Sequence, residues 1–186
     1  MATVFSLNSR TRLSATAGLL AVGSLLAAAG IQAATSQPLV LTAYINGPAG
    51  EMLSEGQYKE AVDVLARQKH FPFATPTMKA TNRCVAYTIT KDLAKAKVAC
   101  DQAVRAAQSQ RPYANSDINA YRHYRQDLAI AYANRSVVRW LEKDGVNAAE
   151  DLAKARQLAP KADFIARNLE AVQSRRAVAQ VTAVAR

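Results

Sequence analysis

Three short stretches of this chain repeat one another: NRCVAY from Asn82 to Tyr87, NRSVVR from Asn134 to Arg139, and more faintly RNLEAV from Arg167 to Val172. Their asparagines stand at 82, 134 and 168, so the intervals are 52 and 34, and 52 is 34 plus 18. A chain built this way stacks one supersecondary unit several times, with an insertion of 18 residues between two copies. The register after each asparagine is strict: Asn82 leads by 14 residues to Ala96 and by 21 to Ala103, and Asn134 by the same steps to Ala148 and Ala155.

Each copy reads as a pair of helices. Asn82 to about Thr90 forms the first, Thr90-Lys91-Asp92 breaks it, and Leu93, Ala96, Ala99/Cys100 and Ala103 fall at helical spacing along the second. In the next copy Gly145 reads as the end of one helix, and Ala148, Leu152 and Ala155 mark another that Pro160 stops. The expected fold class is therefore all-α, with antiparallel helix pairs. The alanines fall where facing helices approach too closely for larger side chains.

This pattern resembles the tetratricopeptide repeat, a 34-residue helix-turn-helix unit. Tyr87, Ala96 and Ala103, then Ala148, Ala155 and Pro160, match its tyrosine, two alanines and closing proline, and Gly56, Tyr58, Glu60 and Ala61 mark a weaker early unit. The resemblance implies a right-handed superhelical stack, a TPR-like solenoid, over residues 48–186: units at about 48–76, 77–110 and 129–162, an insertion at 111–128, and a capping helix at 163–186. Arg83 and Arg135 depart from it by standing where the family usually has leucine, and Arg139 by replacing an aromatic.

The resemblance also implies a function, because such arrays bind peptides or partner helices on the concave wall of their first helices. Carried over by register, that wall includes Asn82, Val85, Asn134, Val137, Trp140 and Asn168. An asparagine offers both a donor and an acceptor, so a ladder of them can pair with the backbone of an extended ligand, or else tie adjacent helices together. Trp140, the sole tryptophan, is either an anchor of that groove or filler beneath a long helix.

The insertion reads as loop from Arg111 to Asn115, with Ser116 as N-cap, and then as helix from Asp117 to Lys143, about 27 residues. It lengthens the first helix of the next unit. Arg122, Arg125, Arg135 and Arg139 fall on one arc of that helix, roughly 140° wide at 100° per residue. They form either a basic stripe for an anionic partner or a solvated face with packed stems.

The first 34 residues read as a cleavable Sec-type signal peptide: Arg10 and Arg12, an apolar run from Ala15 to Ile31, and a small-residue signal before Ala34. A retained membrane anchor is the other reading of that run, which is short and rich in glycine and alanine for a span. Residues 35–47 are an N-terminal extension. Removing the leader takes two arginines and no acid from a net charge of +10, leaving +8. The expected location is periplasmic or secreted, with no transmembrane segment after cleavage. A cationic chain there meets anionic lipid, polysaccharide or acidic protein before nucleic acid.

Cys84 and Cys100 are the only cysteines, and in the repeat frame they face each other across one helix pair. Outside the cytoplasm that relation suggests a disulfide, with two buried thiols as the alternative. His70 and His123 have no recognisable partners, and no HExxH, GxSxG or glycine-rich phosphate loop occurs. The chain is thus expected to have no catalytic, metal or cofactor site and to act as an exported adaptor or scaffold binding a protein segment. A cationic envelope protein and a self-assembling homo-oligomer are the alternatives.

Overall fold

The computed structural model describes residues 2–7, 38–67 and 72–184, with side chains for residues 2–6, 38–67 and 72–174. The apolar run Ala15 to Ile31, the cleavage signal at Ala34 and His70 lie outside these residues. The described chain is mostly helical, in the order β1 (Ala2–Leu7), β2 (Leu39–Tyr44), α1 (Gly50–Ser54), α2 (Tyr58–Arg67), α3 (Pro76–Ile89), α4 (Leu93–Ser109), α5 (Ile118–Leu141), α6 (Gly145–Leu158) and α7 (Asp163–Val184). The all-α expectation is corrected in one respect: β1 and β2 pair antiparallel, Ala2 opposite Tyr44 through Leu7 opposite Leu39.

The helix pairs begin and end on local chemistry. Thr75 accepts from the Met78 amide ahead of Pro76, whose fixed φ suits the first helical position. Between α3 and α4, Lys91 takes the left-handed conformation at φ 64°, and Asp92 accepts from the Lys95 amide to cap α4. Fifty-two residues later Lys143, at φ 66°, and Asp144, accepting from the Asn147 amide, make the same turn into α6. Both turns close alike, the Asp92 amide donating to the Tyr87 carbonyl and the Asp144 amide to the Arg139 carbonyl. These three-residue turns reverse the chain, so α3 packs on α4 and α5 on α6 as antiparallel hairpins.

Two boundaries differ from expectation. Gly145 opens α6 instead of ending the preceding helix, because the left-handed residue of that turn is Lys143. The cap of α5 is Asp117 rather than Ser116, since its carboxylate reaches the Asn119 and Ala120 amides at 2.6 and 3.0 Å. Burial along α5 starts only at Leu128, so the inserted first turns carry an exposed Ile118 and pack little.

The repeat alanines lie in the core between the helices. Ala96, Ala103, Ala148 and Ala155 are all buried; Ala103 and Ala155 share a cluster with Ala80, Ala129, Ala131 and Ala133. Cys84 and Cys100 are joined by a disulfide with Cα atoms 4.7 Å apart, tying α3 to α4 beside Ala96, Ala99 and Val138. Closing a loop of that size, a sequence separation of 16, stabilises by about 3 kcal/mol in chain-entropy models. Ala103→Leu should cost about 1–3 kcal/mol through overpacking, read as a lower urea midpoint at unchanged slope.

Candidate functional site

The face shared by α3, α5 and α7 carries the three repeat asparagines, and it is filled by the chain's own β2. Asn168 on α7 accepts from the Val40 amide at 2.7 Å and donates to the Val40 carbonyl at 2.8 Å. Asn134 on α5 does the same for Thr42 at 2.9 and 2.7 Å. Asn82 on α3 does so for Tyr44 at 2.8 and 2.8 Å, and its amide also donates to the Pro48 carbonyl at 2.9 Å. Each carboxamide thus presents to β2 what a neighbouring strand would present, one acceptor and one donor for every second residue.

The spacing explains why a strand fits. Alternate residues of a strand advance about 6.8 Å, while packed helices stand roughly 8–10 Å apart. A carboxamide on a two-bond stem absorbs the difference by converging on the strand. β2 runs from α7 across α5 to α3, then turns at Gly47 and Gly50 into α1. A Cβ on Gly50 would lie 2.1 Å from the Tyr44 carbonyl oxygen, and one on Gly47 would lie 2.9 Å from Asn82 Nδ2, so the corner needs glycine.

The side chains of β2 complete the filling. Leu39, Leu41 and Ala43 join Leu53, Leu65, Val85, Val137, Leu152 and Val172 in one buried cluster, with Phe5 of β1 packed against it. Tyr44 donates from its hydroxyl to Asp127 Oδ1 at 2.6 Å. Burial, with the charge of Asp127 and this bond, pushes the phenol well above its ordinary range. Burial likewise raises the Asp127 carboxyl, while the bond from Tyr44 and the charge of His123 pull it back.

The wall expected to face a partner is therefore covered. Asn82, Val85, Asn134, Val137 and Asn168 are each at most 1% exposed, and Trp140 is half-buried against the same cluster. The correction has a simple cause: three asparagines over an apolar wall hold an extended backbone, and residues 39–44 of the same chain supply one. Residues 39–44 fall within the expected N-terminal extension, although LVLTAY carries the β-branched and aromatic composition of a strand.

The arginine stripe is divided. Arg135 makes a two-pronged pair with the fully buried Asp151, Nε to Oδ2 and Nη2 to Oδ1 both at 2.8 Å, and reaches Asp101 at 3.0 Å. Arg139 adds a third contact to Asp151 at 2.9 Å. Burial works against the Arg135 charge, but the two aspartates outweigh it and hold its pKa above the ordinary value. Arg125 donates to the Leu158 and Gln157 carbonyls at the end of α6, and Arg122 to Asn119 Oδ1. The departures from the repeat pattern thus acquire roles: Arg135 neutralises a buried acid, and Arg83 caps α2 through the Leu65 carbonyl. No continuous cationic surface remains on α5. Arg122 and Arg125 instead edge an apolar cleft of about 590 Å³ lined by Ile118, Tyr121, Leu158 and Phe164.

Comparison with family models, with curated proteins and with solved structures gives no match for this chain.

Replacing Asn134 tests the ladder. Asn134→Ala strands a buried N–H and a buried carbonyl of Thr42, which should cost about 2–5 kcal/mol in chemical denaturation. Asn134→Asp keeps an acceptor but sets a buried carboxylate against the Thr42 carbonyl, raising its folded-state pKa above the unfolded value of about 3.9. Its stability deficit relative to the unaltered chain should be smallest below that pH and should widen as pH rises through the folded value. A pH-independent deficit would mean that the donor half of the pair is unimportant.

Proposed function

We propose that this chain is an exported, tetratricopeptide-like interaction module that binds a protein segment, an adaptor or scaffold with no turnover of its own. The observation that carries this reading is β2, an extended strand held by the asparagine ladder on one edge and engaged by strand pairing on the other. Recurrence of one turn at Lys91-Asp92 and Lys143-Asp144 supports the repeat resemblance, because a unit that recurs in both register and cap chemistry is a stacking unit. Repeat stacks use such faces to present extended segments, and β2 is a strand held on one edge only by side chains. No described helix is long and apolar enough to cross a membrane.

Division of the arginine stripe weighs against the cationic-envelope reading, since Arg135 and Arg139 spend their charge on Asp151. Salt dependence distinguishes the two. The exported product, isolated from its own compartment by an affinity tag at the C-terminus, should retain one protein partner at about 1 M salt, where the Debye length is near 3 Å. It should retain that partner equally when Arg122 and Arg125 are replaced by Gln. Retention of anionic lipid or polysaccharide alone, released by salt and lost in the Arg122→Gln, Arg125→Gln variant, would overturn the adaptor reading.

A further inference from the structure

The two edges of β2 are held very differently. Val40, Thr42 and Tyr44 direct their amides and carbonyls to the asparagines. By the alternation of a strand, Leu39, Leu41 and Ala43 direct theirs to the opposite edge, where the register sets Leu7, Phe5 and Thr3 against them. Among the described residues, that opposite edge is covered by β1, a strand of six residues. Of its side chains, Phe5 packs on the main cluster, whereas Val4 is 46% exposed and Ser6 is exposed. It also lies within residues 1–34, the stretch read as a cleaved leader.

We propose that the outer edge of β2 is a strand-docking site, filled by β1 in the full chain and by an extended segment of a partner protein once β1 is removed. β1 itself shows the chemistry that fits. The occupant is a run of about six residues that gives backbone bonds to Leu39, Leu41 and Ala43, places a large apolar side chain opposite Leu41 as Phe5 does, and leaves its intervening side chains in solvent as Val4 and Ser6 are. β2 is already extended and immobilised by the ladder, so the incoming segment alone is ordered on docking. An uncovered edge of this kind invites strand addition. The proposal rests on the adaptor reading and names its partner class.

The test uses a fluorescent peptide of the β1 sequence, ATVFSL, as probe. The unaltered full chain should bind it weakly, because β1 occupies the edge. The full chain carrying Thr3→Pro and Phe5→Pro, which removes two inward amides, should bind it at least about tenfold more tightly. N-methylation of the peptide at its phenylalanine should abolish binding, and N-methylation at its valine should not. A folded proline variant that ignores the peptide, or equal loss from both methylations, would overturn the proposal.

Should the proline variant fail to fold, fluorine-labelled phenylalanine in the unaltered chain gives a second readout: excess peptide must displace β1 and shift the Phe5 resonance. An unmoved resonance overturns the proposal. Dimers of the unaltered chain that form with concentration and dissociate on adding peptide would assign the edge to a second copy and overturn the partner assignment. Peptide binding together with an absence of any salt-resistant partner would leave the docking edge standing and remove the adaptor reading.

Discussion

Everything about this molecule's inner face depends on three side-chain amides meeting one strand edge. A strand laid on a helical surface ordinarily leaves a row of amides and carbonyls without partners, and burying them is costly. Asn168, Asn134 and Asn82 remove that cost in sequence for Val40, Thr42 and Tyr44. The apolar side chains of β2 can then close over Val85 and Val137. The asparagines are conditional in the same way, since each would be a buried polar group without the strand. Strand and ladder are therefore one cooperative unit that joins α3, α5 and α7, elements far apart in sequence.

Much of the helical part was legible in the sequence because it is written in local signals. The register of Ala96 and Ala103 against Ala148 and Ala155 reported the close helix contacts, and Thr90-Lys91-Asp92 reported a turn. Gly145 misled because glycine after a helix usually supplies the left-handed residue, and here Lys143 takes that conformation two positions earlier. The asparagines were legible as a ladder with spare donors and acceptors. What they hold was not, since the bonds to β2 span 38, 92 and 128 residues and leave no periodic trace. The same distance effect hid the aspartates that answer Arg135: Asp151 and Asp101 lie on α6 and α4, and a stripe drawn on one helix omits its neighbours.

The two polar systems of the fold serve different ends. The Asp151 centre, with Arg135 and Arg139, locks α5 to α6, and its charges are matched within the fold. The asparagine ladder is neutral and reads only backbone. A neutral reader bonds to backbone alone, so the identity of the β2 side chains is set by the buried cluster they join. The disulfide between Cys84 and Cys100 stiffens the α3–α4 hairpin beneath Asn82, at the end of the ladder where β2 turns toward α1.

The most direct measurement of this account is amide hydrogen exchange, residue by residue, along β2. If the ladder holds the strand, the amides of Val40, Thr42 and Tyr44 exchange only through global unfolding, as slowly as those of Val85 and Val137. The amides of Leu39, Leu41 and Ala43 then follow β1, slow when it is present and faster when it is displaced. Exchange of Val40, Thr42 and Tyr44 at the rate of the Asn46 turn would contradict the account, because the asparagines would then be holding nothing.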